Sequence, residues 1–456
     1  MKASDKASSA KDIVLAQNRA VPRYTSYPTA PHFKDGFSES IYRDWLSALK
    51  PDQSLSLYVH IPFCAKLCWF CGCNTKITLR EGPVTDYVEL LVREIDMIGE
   101  LCVKGMMVKN LHFGGGSPTI LKPGAFEAVM AALRRNFTFT PDAEIAVEID
   151  PRTMTSELAA MYGRCGVNRA SIGVQDFDEK VMQAVNRPQP YKVVKAAIDM
   201  ARANGIASIN IDLMYGLPYQ SADTIHKLVE QAVSLNPDRL TLFGYAHVPW
   251  MKKHMRLIPD DALPDNSLRY DLFEIGARLL EDAGYTAIGI DHFAKPDDTL
   301  AKALQLGKMH RNFQGYTTDD ADALIGFGSS AISRLPQGYV QNTIHGPQYR
   351  DRIEAGILPA EKYCVLTEDD RLRADVIERL ICDMKVNLND VCRRHERPIS
   401  SLTQDLGRLE PIKASGLVHR IGNHITVDKR QMVRLACAAF DTYLAPDGPK
   451  RHVSSV

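Results

Sequence analysis

The chain has 456 residues, with 55 Lys and Arg against 55 Asp and Glu, and 45% of its residues are hydrophobic. This length exceeds one ordinary core and predicts a large domain with a smaller one. The balanced charge provides no overall field that would attract a polyanion, so we expect no nucleic-acid partner. No run of about 18 uncharged apolar residues occurs, so we expect no membrane span. The first residues lack a signal or transit pattern, and we therefore expect a cytoplasmic protein.

The ten cysteines are too sparse for a disulfide scaffold in a chain this long. Four of them crowd into residues 64–73, which points to a metal. The others lie among apolar neighbours, where packing is the ordinary role of cysteine. These expected packing residues are Cys102, Cys165, Cys364, Cys382, Cys392 and Cys437.

In chain order, residues 1–54 form an N-terminal arm with the turn-forming sequence PRYTSYPTAP and a short helix around residues 38–49. Short β-rich runs then alternate with amphipathic stretches of helical spacing. This alternation predicts an α/β fold, a partial or full β/α (TIM-like) barrel over residues 55–364, although an open doubly wound sheet would show the same pattern. The runs lie at residues 56–61, 110–114, 144–150, 169–175, 208–216 and 239–248.

Residues 365–456 follow a different pattern, which is mainly helical. We expect helices at 368–384 and 399–414, a hairpin in LVHRIGNHITV, and a last helix at 432–444. This order predicts a small winged-helix-like C-terminal domain. Acidic residues are interspersed with the basic ones, so a lid or docking domain is favoured over DNA binding.

Polar residues and glycines collect where the predicted strands end. In parallel β/α folds these ends meet at one mouth, where the site lies. The sequence therefore predicts one site built from all six ends. The residues concerned are His60, 114–117, Glu148, Asp150, Gln175, Asp212, Ala246 and His247.

Cys64, Cys68 and Cys71 form a CxxxCxxC motif directly after the first predicted strand. One loop with this spacing can wrap a cuboidal 4Fe-4S cluster. Three cysteines leave one iron without a protein ligand, and S-adenosylmethionine (SAM) can fill that position. The alternative is a zinc knot that also uses Cys73, although zinc ribbons normally separate two cysteine pairs by a longer spacer.

The sequence FGGGSP, residues 113–118, ends the second predicted strand. Consecutive glycines let a backbone approach a ligand and present its N–H groups, so we expect a cradle for the methionyl end of SAM. A tight turn is the plainer interpretation. Glu148 suits the ribose hydroxyls, although a solvated carboxylate at a strand end would look the same.

These motifs together resemble the radical SAM superfamily. Further segments narrow the resemblance, nearly end to end, to the oxygen-independent coproporphyrinogen III oxidase (dehydrogenase) family of anaerobic haem biosynthesis. The segments are PRYTSYPTA, LYVHIPFCAKLCWFCGC, VEIDPR, GVQDF, NIDLMYGLP, YAHVP, DHFAKPDD and HRNFQGYTT.

The resemblance implies one 4Fe-4S cluster and two SAM molecules in one site. By matched position, Tyr58, Gly115, Glu148 and Ile332 would hold the SAM that chelates the cluster. The second SAM would contact Phe70, Gly116, Ser117, Gln175, Arg187, Asp212 and Ala246. Two departures from the family pattern are Trp69, where relatives often have Tyr, and Ser117, where they often have Thr.

The implied reaction converts two propionates of coproporphyrinogen III to vinyl groups by means of a SAM-derived 5'-deoxyadenosyl radical, giving protoporphyrinogen IX. This reaction implies a tetrapyrrole substrate and a low-potential electron-donor protein. We also expect a monomer, because nothing in the sequence suggests an obligate oligomer. Because the substrate carries four carboxylates, we expect a cationic rim from Arg23, Lys295 and Arg311, with Tyr24 and His310 as hydrogen-bond partners. Rival interpretations are a haem-binding chaperone paralogue and a zinc-stabilised DNA-binding regulator.

Overall fold

The structure is a computed structural model that describes residues 9–36 and 38–444. Its strands, in chain order, are β1 (Ser54–Ile61), β2 (Phe63–Cys64), β3 (Lys76–Ile77), β4 (Met107–Gly115), β5 (Thr138–Ile149), β6 (Arg169–Gln175), β7 (Ser208–Tyr215), β8 (Arg239–Gly244), β9 (Thr286–Ile288), β10 (His292–Ala294), β11 (His310–Asn312), β12 (Gly315–Thr317), β13 (Ala323–Phe327), β14 (Ile332–Leu335), β15 (Gly338–Asn342), β16 (Ala360–Val365), β17 (Lys385–Asn387), β18 (Val418–Ile421) and β19 (His424–Val427).

The helices are α1 (Ala10–Ala16), α2 (Glu39–Ser47), α3 (Gly82–Leu101), α4 (Pro123–Asn136), α5 (Ser156–Arg164), α6 (Glu179–Ala184), α7 (Tyr191–Ala203), α8 (Ala222–Ser234), α9 (Asn266–Asp282), α10 (Thr299–Gln305), α11 (Gly346–Glu354), α12 (Glu368–Asp383), α13 (Leu388–Arg394), α14 (Thr403–Lys413) and α15 (Arg430–Ala438). Short 3-10 helices lie at Ala30–His32, Pro118–Ile120, Lys253–Leu257, Asp260–Ala262 and Ile399–Leu402.

Six parallel strands, β1 and β4 to β8, form the middle of one open sheet, and β13 adds a seventh parallel strand beside β1. Helices follow these strands along the chain, as the alternating pattern predicts. The fold class is therefore confirmed as a partial barrel. The sheet does not close, because short antiparallel strands extend both edges and end at β16 and β9.

Strand β6 shows why the barrel has a polar interior. Ala170, Ile172 and Val174 are buried, whereas the alternate residues Ser171 and Gln175 are partly exposed and line a cavity. Side chains of a strand alternate between its two faces. The apolar face therefore packs under the helices, and the polar face is left for chemistry.

Helix α8 illustrates how the outer layer forms. Ser221 caps its first turn through a hydrogen bond from the N–H of Thr224, and Ile225, Leu228 and Val229 are buried along one face. Spacing of three and four residues places these side chains on one stripe, which packs on the sheet. The helix is thus fixed by its cap and by its apolar stripe.

The C-terminal segment forms a second core around α12 and α15 and a small sheet of β17, β19 and β18. The predicted hairpin is confirmed, and α13 is an addition that the sequence pattern missed. The predicted last helix at 432–444 is wrong in extent, because α15 ends at Ala438. Beyond it the chain turns so that Asp441 accepts a hydrogen bond from Tyr24.

Residues 14–27 of the N-terminal arm belong to this second core, whereas α2 packs in the main core through Tyr42 and Leu46. Val14, Val21, Tyr24 and Tyr27 are buried with the side chains of α12 and α15. Arg434 of α15 donates hydrogen bonds to the carbonyls of Val21 and Pro22. The arm and the C-terminal helices therefore pack as one unit, while the predicted domain boundaries stay a prediction. Among the described residues, no helix is long and apolar enough to cross a membrane.

Candidate functional site

The first cavity, of about 370 Å³, opens at the carboxyl ends of the six parallel strands. It brings together most of the residues that the sequence singles out. Those lining it are Cys64, Cys68, Phe70, Cys71, Cys73, Gly115, Gly116, Ser117, Glu148, Gln175, Arg187 and Asp212. These strand-end residues therefore share one cavity, as the sequence predicts.

The cysteine loop is closed by its own backbone. Strand β2 runs beside β3, and the N–H of Lys76 donates to the carbonyl of Pro62 at 2.7 Å. The N–H of Thr78 donates to the carbonyl of Cys64 at 3.0 Å. These bonds bring the two ends of the loop together, so the thiols between them face one cavity.

Two guanidinium groups contact the thiol of Cys68, which is buried. Arg187 donates from Nη1 to Sγ at 3.3 Å, and Arg152 donates from Nη2 at 3.5 Å. Cys68 is therefore held between two cationic side chains at the floor of the cysteine loop.

The other thiols differ in their proton affinity. Burial raises the pKa of Cys64 to about 12, and the nearby Cys71 and Cys68 add to this effect. A hydrogen bond from Cys73 lowers the pKa of Cys71 to about 6, although burial opposes it.

The thiols do not converge on one point. In the described part of the chain, no three His, Cys, Asp or Glu side chains are placed to hold a single ion. The zinc-knot alternative would need four such side chains around one ion. The three cysteines of the motif and Cys73 all line the first cavity.

The glycine segment packs closely against the cysteine loop and lines the first cavity. The N–H of Gly115 donates to Glu148, and those of Gly116 and Ser117 donate to the carbonyls of Ile61 and Phe63, both at 2.8 Å. These three amides are hydrogen-bonded within the protein, and the predicted cradle for SAM stays a prediction. A Cβ at residue 116 would collide with the Phe63 carbonyl. The glycines let the two loops pack closely.

Glu148 and Tyr58 belong to one polar network. Glu148 accepts from Nε2 of His112 at 3.2 Å, and Tyr58 stacks on the His112 ring with 5.9 Å between centroids. The Tyr58 hydroxyl lies 3.0 Å from Nδ1 of His60. Tyr58 lies behind His112, which itself lines the cavity, so its link to the site is indirect.

Asp150 and Asp212 are buried carboxylates with opposite tendencies. Burial opposes ionisation of Asp150, but hydrogen bonds from Arg152 and the charge of Arg187 outweigh it and lower its pKa. Burial raises the pKa of Asp212, despite hydrogen bonds from Ser171 and Asn210. Only the first carboxylate is compensated by guanidinium groups.

Ala246 and Ile332 lie outside the first cavity. Ala246 lines a second cavity of about 820 Å³, which shares Cys73, Phe243 and Gln314 with the first. Ile332, in β14, lines a third cavity beside the C-terminal domain. Trp69 packs next to the buried side chains of Val181 and Met182 and does not line the cavity.

The expected substrate residues divide into two groups. Arg23 and Arg311 line the second cavity, and His310 lines the third cavity and is hydrogen-bonded to Glu378 at 3.2 Å. Tyr24 also borders the third cavity, but its hydroxyl is committed to Asp441 at 3.1 Å.

The prediction that Lys295 lies at the substrate-binding mouth of the barrel is wrong. Strand β10 runs antiparallel to β8 and pairs Ala294 with Arg239, the first residue of β8. The next residue therefore lies at the amino ends of the barrel strands, where its Nζ contacts Asp238 at 3.3 Å. The reversal of one short strand carries this lysine to the opposite end of the barrel.

The sequence analysis also missed residues that line the site. Arg152 lies within the VEIDPR segment and contacts both Asp150 and Cys68, so its neighbourhood indicated a role. His112 alternates with buried residues in β4, which indicated an inward side chain. Arg269, in α9, gave no comparable indication, and it lines the second cavity.

Comparisons with known proteins agree with this geometry. Residues 58–232 match the Radical SAM superfamily. The oxygen-independent coproporphyrinogen III oxidase of Bradyrhizobium diazoefficiens is 47% identical over 438 residues, which cover 96% of this chain and 97% of that protein. The enzyme of the same name from Escherichia coli is 40% identical and covers 98% of both chains. The solved structure of coproporphyrinogen III oxidase from Escherichia coli, described as a radical SAM enzyme, superposes with a TM-score of 0.89 at 39% identity, covering 93% of this chain and 100% of that one.

Proposed function

This chain belongs to the oxygen-independent coproporphyrinogen III oxidase family of radical SAM enzymes, and we propose that it converts two propionates of coproporphyrinogen III to vinyl groups. The product is protoporphyrinogen IX. Each conversion removes one hydrogen atom from the β-carbon, one carbon dioxide and one electron. Radical SAM enzymes of this family use a 4Fe-4S cluster and SAM, and these cofactors carry out the radical chemistry.

Cys64, Cys68 and Cys71 would hold the cluster. When bound, the cluster and SAM supply the deoxyadenosyl radical that takes hydrogen from the propionate. The protein contributes the charge around the thiolates: Arg152 and Arg187 donate to Cys68, and both lie near Asp150. These two guanidinium groups offset part of the negative charge of Asp150 and of the sulfur ligands, which lowers the cost of keeping that charge away from water.

SAM would bind along the strand ends. Glu148 and Asp212 offer carboxylates to hydroxyl or ammonium groups, and Gln175 and Arg187 offer amide and guanidinium donors. The family resemblance implies two SAM molecules in this site, with Glu148 assigned to the first and Gln175, Arg187 and Asp212 to the second. Ile332, in the third cavity, is the weakest member of the predicted set.

The substrate would lie in the second cavity, which adjoins the first at Phe243 and Gln314. Arg23 and Arg311 line it and carry the charge needed for propionates. A reactive carbon held at this junction is within reach of the first cavity and is shielded from water by the arm. Positioning of this kind prevents a radical from attacking other groups.

The observation that carries the proposal is one cavity at the strand ends that joins three cysteines to the predicted SAM residues. The test is an anaerobic assay of the reconstituted protein with coproporphyrinogen III, SAM and a low-potential reductant. We expect deoxyadenosine and protoporphyrinogen IX in a ratio of about 2 to 1, because each vinyl group needs one hydrogen abstraction. Formation of deoxyadenosine without any vinyl product would contradict the proposal.

The same assay separates the haem-binding alternative. A chaperone-like paralogue would bind haem and leave coproporphyrinogen unchanged, whereas the proposed enzyme consumes it. A low-potential electron-donor protein is part of the proposal, because the cluster must be reduced in each cycle. The monomeric state stays a prediction.

A further inference from the structure

The second cavity is rich in arginine. Six arginines line it, together with one carboxylate, that of Asp291, among the lining residues that the structure describes. Four of these arginines, Arg23, Arg269, Arg311 and Arg434, come from the arm, α9, β11 and α15. The excess of positive charge is therefore assembled by the tertiary fold and not by one segment.

The single carboxylate is already shared. Asp291 accepts from Nδ1 of His292 at 2.7 Å and lies 4.0 Å from Nη1 of Arg311. The side chain of Arg311 is only 5% exposed, and its Nε and Nη1 have no hydrogen-bond partner in the part of the chain that the structure describes. Burying a guanidinium whose N–H donors lack acceptors costs folding free energy, and a bound anion that accepts from those donors removes this cost.

The remaining arginines strengthen the cationic field. Burial lowers the pKa of Arg434 to about 10, and the charge of Arg23 adds to this effect. Arg23 reaches across the mouth and donates to the carbonyl of Gly244 at 3.2 Å. Groups that repel one another in this way gain stability from a bound polyanion.

The barrel leaves room for Arg269. Gly216 follows β7 with a φ of +83°, and a side chain there would collide with Nη1 of Arg269. The guanidinium lies 5.5 Å from the centre of the Tyr215 ring. The side chain is therefore held against Tyr215 and Gly216 in the lining of the second cavity.

The walls of this cavity are partly aromatic, through Tyr215, Phe243, Phe273 and Phe313. A flat apolar body with several carboxylates matches such a lining. We propose that Arg269 and Arg311, with the charge of Arg434 added to theirs, form a carboxylate cage that holds the propionates not undergoing reaction and selects macrocycles by their number of carboxylates. The cage names the specificity residues of the proposed function and rests on that function.

The test compares two ring systems on the holoenzyme under anaerobic conditions. Coproporphyrin III has four carboxylates and mesoporphyrin IX has two, and binding of each is followed by fluorescence. We expect Arg269→Gln to raise the dissociation constant for the tetracarboxylate by about 10-fold to 100-fold, which is the effect of losing a charge-assisted bond. Binding of the dicarboxylate should change less than about 3-fold, because fewer carboxylates reach the cage.

The matched control is Arg278→Gln, an exposed arginine of the same helix, which should change neither constant. Arg269→Lys should recover part of the affinity, because it keeps the charge but loses the two-pronged bond. KM for coproporphyrinogen should rise in Arg269→Gln while kcat stays within about 3-fold. The proposed cage would be overturned if Arg269→Gln weakened the binding of both porphyrins equally, or weakened neither.

The outcome is distinguishable from failure of the proposed function. If the wild-type protein forms no vinyl product but still shows the Arg269-dependent preference for four carboxylates, the cage stands and the proposed reaction fails. If it forms the product and Arg269→Gln leaves both KM and the preference unchanged, the reaction stands and the cage fails.

Discussion

The two adjoining cavities differ in how their charges are compensated. In the first, Asp150 is bonded to Arg152 and lies 3.5 Å from Arg187, so guanidinium and carboxylate groups are paired within the protein. In the second, arginines outnumber the one carboxylate, Asp291. The Arg152–Asp150 pair lies beside the cysteine loop that would hold a permanent cofactor, whereas the cationic lining of the second cavity favours an anionic ligand that binds and leaves.

The largest effect should come from Cys68→Ala. We expect this variant to form no deoxyadenosine above background, because one thiolate ligand of the cluster is lost. Its affinity for coproporphyrin III should stay within about 3-fold of wild type, since the arginine cavity is built from other segments. Deoxyadenosine formation and porphyrin fluorescence measure the two cavities separately.

Cys73→Ala is the matched control for that variant. Cys73 lies two residues beyond Cys71, and three thiolates are sufficient for the proposed site. The variant should keep its brown colour and its iron content. Persistent SAM cleavage in Cys68→Ala, or loss of the cluster in Cys73→Ala, would show that the ligand assignment is wrong.

The next effect concerns Arg187→Gln. Loss of its hydrogen bond to Cys68 and of its charge near Asp150 should raise the SAM concentration for half-maximal cleavage by about 10-fold to 100-fold. Rates of deoxyadenosine formation at varied SAM measure this. Arg164→Gln, which removes an exposed surface pair with Glu127, should have no effect. An Arg187→Gln variant with unchanged SAM dependence would remove this residue from the site.

A smaller effect should follow from salt. Raising salt from about 50 to 500 mM should increase KM for coproporphyrinogen several-fold. The arginines of the second cavity attract the substrate carboxylates through an electrostatic field that salt screens. The SAM concentration for half-maximal cleavage should change less than about 2-fold, since Arg152 and Arg187 in the first cavity are paired with Asp150. Equal salt dependence of both substrates would remove the distinction between the cavities.

The smallest effect on catalysis, with a clear effect on stability, concerns Glu94, which lies outside both cavities. Burial raises its pKa to about 7, although Tyr349, the N–H of Gly328 and Asn342 all donate to it. The folded state therefore retains a proton that the unfolded chain loses above about pH 4.5. Stability is full below that pH and falls by up to about 3 kcal/mol as the pH rises to about 7.

Thermal-unfolding midpoints between about pH 5 and 8 test this linkage. The midpoint of the wild type should fall with rising pH more steeply than that of Glu94→Gln, which cannot ionise. SAM cleavage by Glu94→Gln at low temperature should be near normal. Parallel pH profiles of the two proteins would show that Glu94 does not titrate in this range.

The two cavities also differ in how far the sequence could predict them. Spacing located the cysteines, and strand alternation placed Glu148, Gln175 and Asp212 at strand ends. Other predicted SAM residues, such as Phe70 and Arg187, came only from the family resemblance. Arg269 and Arg434 face the second cavity only because α9 and α15 pack at the mouth, and such packing leaves no local pattern. Lys295 was misplaced for the same reason, since the direction of a three-residue strand decides its position.

The glycine segment teaches a related point. FGGGSP was correctly placed beside the cysteine loop, but its role depended on which groups its amides meet. The N–H groups of Gly116 and Ser117 bond to backbone carbonyls of the neighbouring loop. A sequence shows that a backbone can approach closely; it does not show whether the neighbour is a ligand or the protein itself.

The contact of the arm with the C-terminal helices bears on how the protein is made. Tyr24 bonds to Asp441 and Tyr27 to Thr442, so residues near the start of the chain wait for partners synthesised more than 400 positions later. A ribosome completes the parallel sheet long before it releases those partners. The wall of the arginine cavity is therefore the last part to close, and a truncated polypeptide that had already acquired iron would hold its reactive centre without that cover.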